Sequence, residues 1–514
     1  MNSETLPSTV PHIAEDAARR WGEASALLEN GVEWSFNELW RRSRESASAF
    51  LAYGIGKGDR ISIWAPNSRE WIVTAIGALT VGASIVPLNT RLKGREAGDI
   101  LRRTNAKLLF TVPEFLGIDY GALLADEDLP SLQKIIRVGD ELRAFWAKGD
   151  VDDERVTAAL DQLQGSDISD IMFTSGTTGI PKGVLTTHER IVPMFRHWVE
   201  VMGLQAGERY LIINPFFHSF GFKAGWVAAL IAGATIIPMA SFDIPEVIRH
   251  IEEDRVNFLP GPPTIFQSLL AAKDKQDFDT SSLRGGSTGA ASVPPELIRR
   301  MRSELNMVDT VTAYGMTECS TITSCISGDD AELIATSVGK AIPGLEVRIT
   351  SADGTEVERG ETGEIHVRGY AIMLGYLDDP EATAETIDAD GWLHTGDVGT
   401  MDENGYVRIT DRMKDMYIAG GFNCYPAEIE KILAEHPGIG MTAVIGLPDE
   451  RMGEIGKAFV VPRPGHTLDA ESVVAWAKGN MANYKVPRLV EIVTELPLNA
   501  SGKVLKTELR QRAG

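Results

Sequence analysis

Residues 174–183 read TSGTTGIPKG, with three glycines, four hydroxyl side chains and one lysine in ten positions. The preceding IMFT, residues 171–174, has the texture of a strand. The loop therefore stands at a strand's C-terminal end, where α/β proteins bind ligands. Small residues let backbone N–H groups converge, and hydroxyls beside them add donors for phosphate oxygens. A plain turn needs one or two glycines, without Ser175, Thr177 and Thr178 as well. The loop does not match the G-x-x-x-x-G-K-[ST] pattern, because Lys182 sits between Pro181 and Gly183.

The rest of the chain sets limits on what such a loop serves. Its 514 residues exceed one hydrophobic core, so at least two domains are expected. Hydrophobic content of 43% and charged content of 24% are those of a globular protein. A formal net charge of −22 argues against non-specific binding to nucleic acid or to an anionic membrane. The three cysteines, Cys319, Cys325 and Cys424, lack metal spacing and are odd in number, which fits a reduced, cytoplasmic protein. The N-terminal stretch has no apolar signal-peptide core. The uncharged run 224–242 is broken by Gly225, Gly233 and Pro238, so it reads as a buried helix and a strand rather than a membrane span.

Upstream of the loop, helical and strand patterns alternate. A capping box at Ser35 and Glu38 opens a helix; RISIWAP, SIVPLN and KLLFTV are strands separated by helices. This βαβα order implies largely parallel sheets covered by helices. RYLIINPFF and TIIPMA continue it. Past residue 341 short alternating strands appear (LEVRIT, GEIHVRG, YVRITDR), with turns at Asp353-Gly354 and Asn404-Gly405, which suggests a β-rich subdomain. The texture changes again at DRMKD, residues 411–415, and about a hundred residues remain, enough for a small α+β domain. The expected fold class is thus α/β: a large N-terminal domain over 1–411, a hinge at 412–415 and a small C-terminal domain over 416–514.

Four further motifs carry candidate chemistry. In TAYGMTE, Tyr314 can lie against a purine, Gly315 permits a tight turn, Thr317 can donate to a phosphate, and Glu318 offers a hard oxygen for Mg²⁺. STGAAS, with Gly289, Ala290 and Ala291, would let a flat ring approach the backbone. In GWLHTGDVG, Asp397 can accept from both hydroxyls of a ribose; an ordinary turn Asp is the competing interpretation. Arg412 can reach the same ribose, Lys414 marks the break, and Gly420 and Gly421 mark a close backbone approach. Lys503, in LPLNASGK, lies in a loop flanked by apolar residues.

Taken together, TSGTTGIPKG, NPFFHSFG, TAYGMTE, GWLHTGD, DRMKDMYIAGGFNCYPAEIE and LPLNASGK resemble the adenylate-forming superfamily of acyl-CoA synthetases, adenylation domains and beetle luciferases. They occur in the family's order from residue 174 to 503, and DR-x-KD with GGFN-x-YP-x-EIE favours the acyl-CoA synthetase branch. The resemblance implies ATP, Mg²⁺ and coenzyme A as reactants. It implies that Thr174, Ser175, Gly176, Thr177, Thr178, Gly179 and Lys182 cover the β- and γ-phosphates. Glu318 would hold the metal and Thr317 the phosphate. Gly289, Ala290, Ala291, Tyr314 and Gly315 would form the adenine slot, and Asp397 and Arg412 the ribose site. Lys414 would be the hinge of a mobile C-terminal domain. Lys503 would enter the site only for adenylation, and Gly420 and Gly421 would line the pantetheine tunnel.

His218 aligns with a gate or orienter beside the acid's carboxylate, a satisfied core histidine being the alternative. Phe217, Phe220, Phe222, Trp226 and Phe266 are expected as acyl-pocket walls together with Lys223, though at least half of these aromatics belong in a core on general grounds. Lys223 is unusual between apolar residues. It either snorkels to water or meets a ketone or second carboxylate of the substrate. FFH-x-FG-x-KAG and LPGPPTIFQSLL are similar to bacterial ligases for the two-ring propanoic acid of steroid degradation. Medium- or long-chain fatty acids and aryl acids stay open, as do a homodimer, an acyl-AMP ligase feeding a carrier protein, a P-loop-like NTPase and a non-catalytic nucleotide-binding regulator.

Overall fold

Three apolar runs decide the architecture. Arg60–Trp64, Ser84–Pro87 and Leu108–Thr111 are buried along almost their whole length, as strands covered on both faces are. They pair in parallel, Ile61 facing Ile85 on one side and Leu108 on the other. In the computed structural model the described residues are 7–174, 181–289, 293–412, 415–419, 422–449, 452–481, 483–498 and 504–513, with Asp411, Arg412, Ile418, Phe422 and Asn423 described by backbone alone.

The three strands sit inside a seven-stranded sheet. Its order is Gly375–Tyr376, Lys182–Thr187, Ile168–Thr174, Ser84–Pro87, Arg60–Trp64, Leu108–Thr111, Lys134–Arg137. A second sheet joins Val32–Ser35, Ser25–Glu29, Thr235–Pro238 and Arg209–Ile212. Bridges through Phe258 connect it to Gly285–Gly289 and Asp309–Tyr314. Helices cover these sheets: Phe36–Ala52 starts where Ser35 Oγ accepts from the Glu38 N–H, and Arg69–Thr80 is buried nearly all round. The parallel, helix-covered α/β arrangement expected from the residue pattern is the one observed.

Leu345–Thr350, Gly363–Gly369, Leu393–Met401 and Val407–Arg412 form an antiparallel sheet. GWLHTGDVG is thus a strand rather than an ordinary turn. Its turn-like look has a cause: Gly396 takes φ 69° and the ladder shifts register between Glu364 and His366. The run after Phe220 also differs from a plain helix. Phe222–Val227 is π-helical, and α-helix follows only over Ala228–Ala232. At the C-terminal end, Phe422–Cys424, Tyr417–Ala419, Gly453–Pro462 and Ile439–Asp449 form a sheet with Leu489–Ile492, packed by Pro426–Ala434 and Ala470–Asn480. The largest core cluster ends at Val407, and the clusters from Tyr417 onward are separate from it. Among the described residues no helix is long and apolar enough to cross a membrane.

Candidate active site

The phosphate-loop candidate hangs between two paired strands. Ile168–Thr174 and Lys182–Thr187 run antiparallel, with Thr174 directly opposite Lys182. Residues 175–180, and with them Ser175, Gly176, Thr177, Thr178 and Gly179, lie outside the described residues. Lys182 Nζ stands 4.9 Å above the ring of Tyr376, on the strand that pairs with Lys182–Thr187. The Tyr376 hydroxyl in turn donates to Glu318 Oε1 at 2.8 Å. Burial and the Glu318 charge push the Tyr376 phenol upward, so it stays a donor. Lysine, phenol and carboxylate thereby form one chain from the loop's end to the candidate metal ligand.

Glu318 is buried, and Tyr376 engages one of its two oxygens. A carboxylate with an oxygen held by a single phenol is a hard donor that fits Mg²⁺. Gly315 is required by packing: a Cβ there would lie 1.8 Å from the Ser320 carbonyl oxygen. The chain returns here so closely that the Ile322 N–H donates to the Tyr314 carbonyl at 2.8 Å, with Thr317, half-buried, and Glu318 on the intervening turn. Cys319 next to them is wholly buried, and burial with the Glu318 charge pushes its thiol up to about 12, which leaves it inert.

The adenine and ribose candidates converge as well. Gly289 ends the strand Gly285–Gly289 opposite Ala313, one residue from Tyr314 on the neighbouring strand. Ala290 and Ala291 lie outside the described residues. The Tyr314 hydroxyl donates to Asp397 Oδ2 at 2.5 Å. Asp397 is paired across the ladder with Arg412, whose side chain is not described, so the two expected ribose residues are cross-strand neighbours. Asp397 is aimed by its own turn: its N–H donates to Thr395 Oγ1 (3.1 Å), and the Gly396 N–H donates to Glu364 Oε1 (2.9 Å). Burial pushes the Glu364 carboxyl up, but hydrogen bonds from His366 and the Gly396 N–H outweigh it and hold it below its ordinary value. Glu364 and Tyr376 are supporting residues that motif spacing did not reveal.

The acyl side is built around Asn214–Gly221. His218 caps the short turn Ser219–Gly221 and accepts from the Phe220 N–H at Nδ1 (3.2 Å). His218 is exposed to solvent, and the neighbouring protein atoms together with the charge of Lys223 push its imidazole toward the neutral form. Phe217 and Phe220 are half-buried, whereas Phe222, Trp226 and Phe266 are 0% exposed. Trp226 stacks on Phe222 with centroids 4.9 Å apart and meets the edge of Trp71, so it belongs to the core that backs the wall. The snorkelling alternative for Lys223 is overturned. Its side chain is 0% exposed, and Asp170 lies 2.9 Å from Nζ. A buried ammonium persists where a carboxylate matches it. Lys414, Gly420, Gly421 and Lys503 lie outside the described residues.

The AMP-binding enzyme family matches residues 14–377, and the AMP-binding enzyme C-terminal domain matches residues 428–503. A Rhodococcus jostii protein named 3-[(3aS,4S,7aS)-7a-methyl-1,5-dioxo-octahydro-1H-inden-4-yl]propanoyl:CoA ligase is 48% identical over 98% of this chain and 99% of its own. A Mycobacterium tuberculosis protein of the same name is 46% identical over 98% of each chain. Among solved structures, ATP-bound MatB from Rhodopseudomonas palustris superimposes with a TM-score of 0.90 at 28% identity, over 99% of both chains. With six motifs in register and these matches along its length, the chain belongs to the AMP-binding enzyme family, as an AMP-forming acid–CoA ligase.

Proposed function

We propose that the acid is a bulky two-ring keto-propanoate of the kind named for the Rhodococcus and Mycobacterium relatives. The observation that carries this is near-half identity along the whole length of both. The half-buried aromatics Phe217 and Phe220 beside His218 support an apolar, ring-shaped acyl group.

A carboxylate is a poor acylating agent because oxide would have to leave. Attack of a carboxylate oxygen on the α-phosphorus of ATP forms an acyl-adenylate and releases pyrophosphate. The coenzyme A thiol then attacks the acyl carbon, and AMP leaves. In the first step two anions must meet, so positive charge and donors have to surround them. The loop between Thr174 and Lys182 supplies N–H groups and hydroxyls around the phosphates, and Thr317 adds a donor. Tyr314 and Asp397 hold the nucleoside, with Arg412 opposite Asp397. Mg²⁺ bound by Glu318 would neutralise phosphate charge. A neutral His218 orients the acid without trapping it as a tight ion pair. Lys503 binds the transferring phosphate during adenylation. Rotation about Lys414 then withdraws Lys503 and brings Gly420 and Gly421 to line the thiol's path.

The test is to offer the purified enzyme ATP, coenzyme A and either the two-ring diketo acid or saturated acids of eight to twelve carbons. The expected result is a kcat/KM at least ~10-fold higher for the diketo acid, about 1.4 kcal/mol of discrimination, with AMP formed in step with thioester. Equal or better turnover of the straight-chain acids overturns the substrate assignment.

A further inference from the structure

Lys223 and Asp170 form an ion pair with both side chains wholly out of water. Their positions give the pair a reach that neither residue has alone. Lys223 lies in the π-helix Phe222–Val227, which continues directly from the His218–Gly221 turn of the acyl side. Asp170 lies in the strand Ile168–Thr174, four residues before the phosphate loop opens. Lys223 Nζ also donates to Thr186 Oγ1 at 3.2 Å, on Lys182–Thr187, the strand by which the chain leaves that loop. Ser169 Oγ steadies the carboxylate, donating to Asp170 Oδ2 at 3.1 Å. One ammonium is thus tied to both strands that carry the loop and is itself mounted on the wall beside the acid.

Stability does not account for this arrangement. Apolar residues of similar volume commonly replace a buried ion pair at no loss. What an apolar replacement lacks is direction, since an ion pair with a hydroxyl partner fixes the helix in one register against the strands. The single-turn π-helix carries an extra residue per turn, a distortion that recurs at functional sites. Adenylation depends on two independently held reactants meeting in line, and a displacement of about 1 Å costs on the order of 100-fold in rate.

We propose that Lys223 and Asp170 are positioning residues for adenylation, which lock the π-helical wall beside His218 to the two strands of the phosphate loop and so hold acid and triphosphate in register. This rests on the adenylating activity and not on which acid is used.

The test is the double variant Asp170→Asn/Lys223→Met, which removes both charges and keeps volume. Its unfolding midpoint is expected within about 3 °C of wild type. Its acid-dependent pyrophosphate exchange is expected to fall about 30-fold in kcat with a raised KM for the acid. Thioester formation from supplied acyl-adenylate is expected to stay within about 3-fold, since that step does not use the triphosphate. Recovery of stability and exchange together overturns the proposal and makes the pair a packing element only. Should the double variant not fold, Thr186→Val decides: a folded protein with exchange slowed about 3-fold at unchanged thioester formation supports it, and wild-type exchange overturns it. Wild-type exchange run in parallel separates this outcome from a failure of adenylation itself.

Discussion

At the scale of single residues, the nucleotide end depends on short polar contacts whose partners come from distant parts of the chain. Tyr314 and Asp397 are 83 positions apart, and their 2.5 Å hydrogen bond fixes the carboxylate proposed to meet the ribose. Hydrogen bonds to a charged group contribute about 1.5–3 kcal/mol. Tyr314→Phe keeps the ring and removes the donor. It is expected to raise the KM for ATP about 10-fold, with the KM for the acid unchanged, as read from pyrophosphate exchange at varied ATP. An unchanged KM for ATP would show that Asp397 keeps its aim without the Tyr314 hydroxyl. Tyr314 and Asp397 were legible as residues because each sits in a glycine-marked motif. Tyr376 was not. Its role arises from an edge strand only two residues long, whose pairing with Lys182–Thr187 no local pattern announces.

At the scale of elements, the buried helix and strand ends carry their own chemistry. Helix His188–Met202 starts at the end of the strand leaving the phosphate loop, and His188 Nδ1 accepts from the Val10 N–H at 3.3 Å. Burial, with the His12 charge adding and Asp167 opposing, lowers His188 to about 3 from 6.5. The folded protein therefore keeps this ring neutral while the unfolded chain takes a proton below about pH 6.5. Stability from this group is complete above that pH and declines by up to about 1.36 kcal/mol per pH unit as the solution is acidified toward pH 3. His188→Gln keeps an acceptor for Val10 but has no proton to take. The gap between wild-type and variant urea midpoints is expected to stay nearly constant from pH 7.5 to about pH 6.5 and then to shift in the variant's favour down to pH 5; parallel midpoints throughout would contradict it. Elements of this kind were mostly legible. Apolar runs and the Ser35 cap marked strands and helices because burial on both faces leaves a continuous signature. The π-helix was not, since no local pattern in FKAGWV sets it apart from an α-helical stretch. Its pin, Asp170, lies 53 positions away and is hidden inside a strand.

At the scale of the whole molecule, two separate cores must cooperate in two successive reactions. The described residues include the stretches on either side of the segment that bears Lys503. Leu498 and Val504 form an antiparallel bridge, and the Leu505 N–H donates to the Pro497 carbonyl at 2.8 Å, so the base of the segment bearing Lys503 is closed. Helix Lys506–Ala513 follows at once. Lys506 pairs with Glu430 at 2.8 Å, and Arg510 pairs with Asp415 at 2.8 Å, next to the proposed hinge at Lys414. A movement about that hinge would carry the Lys503 segment with it through Arg510. Removing the lysine then separates the half-reactions. Lys503→Ala is expected to cut acid-dependent pyrophosphate exchange at least ~100-fold, the scale of losing one preorganised charge-stabilising donor. Thioester formation from supplied acyl-adenylate is expected to remain within about 3-fold of wild type, because on the proposed scheme the lysine is withdrawn for that step. Equal loss of both half-reactions would mean that Lys503 stays at the reacting centre throughout, and that one arrangement of the two cores performs both steps.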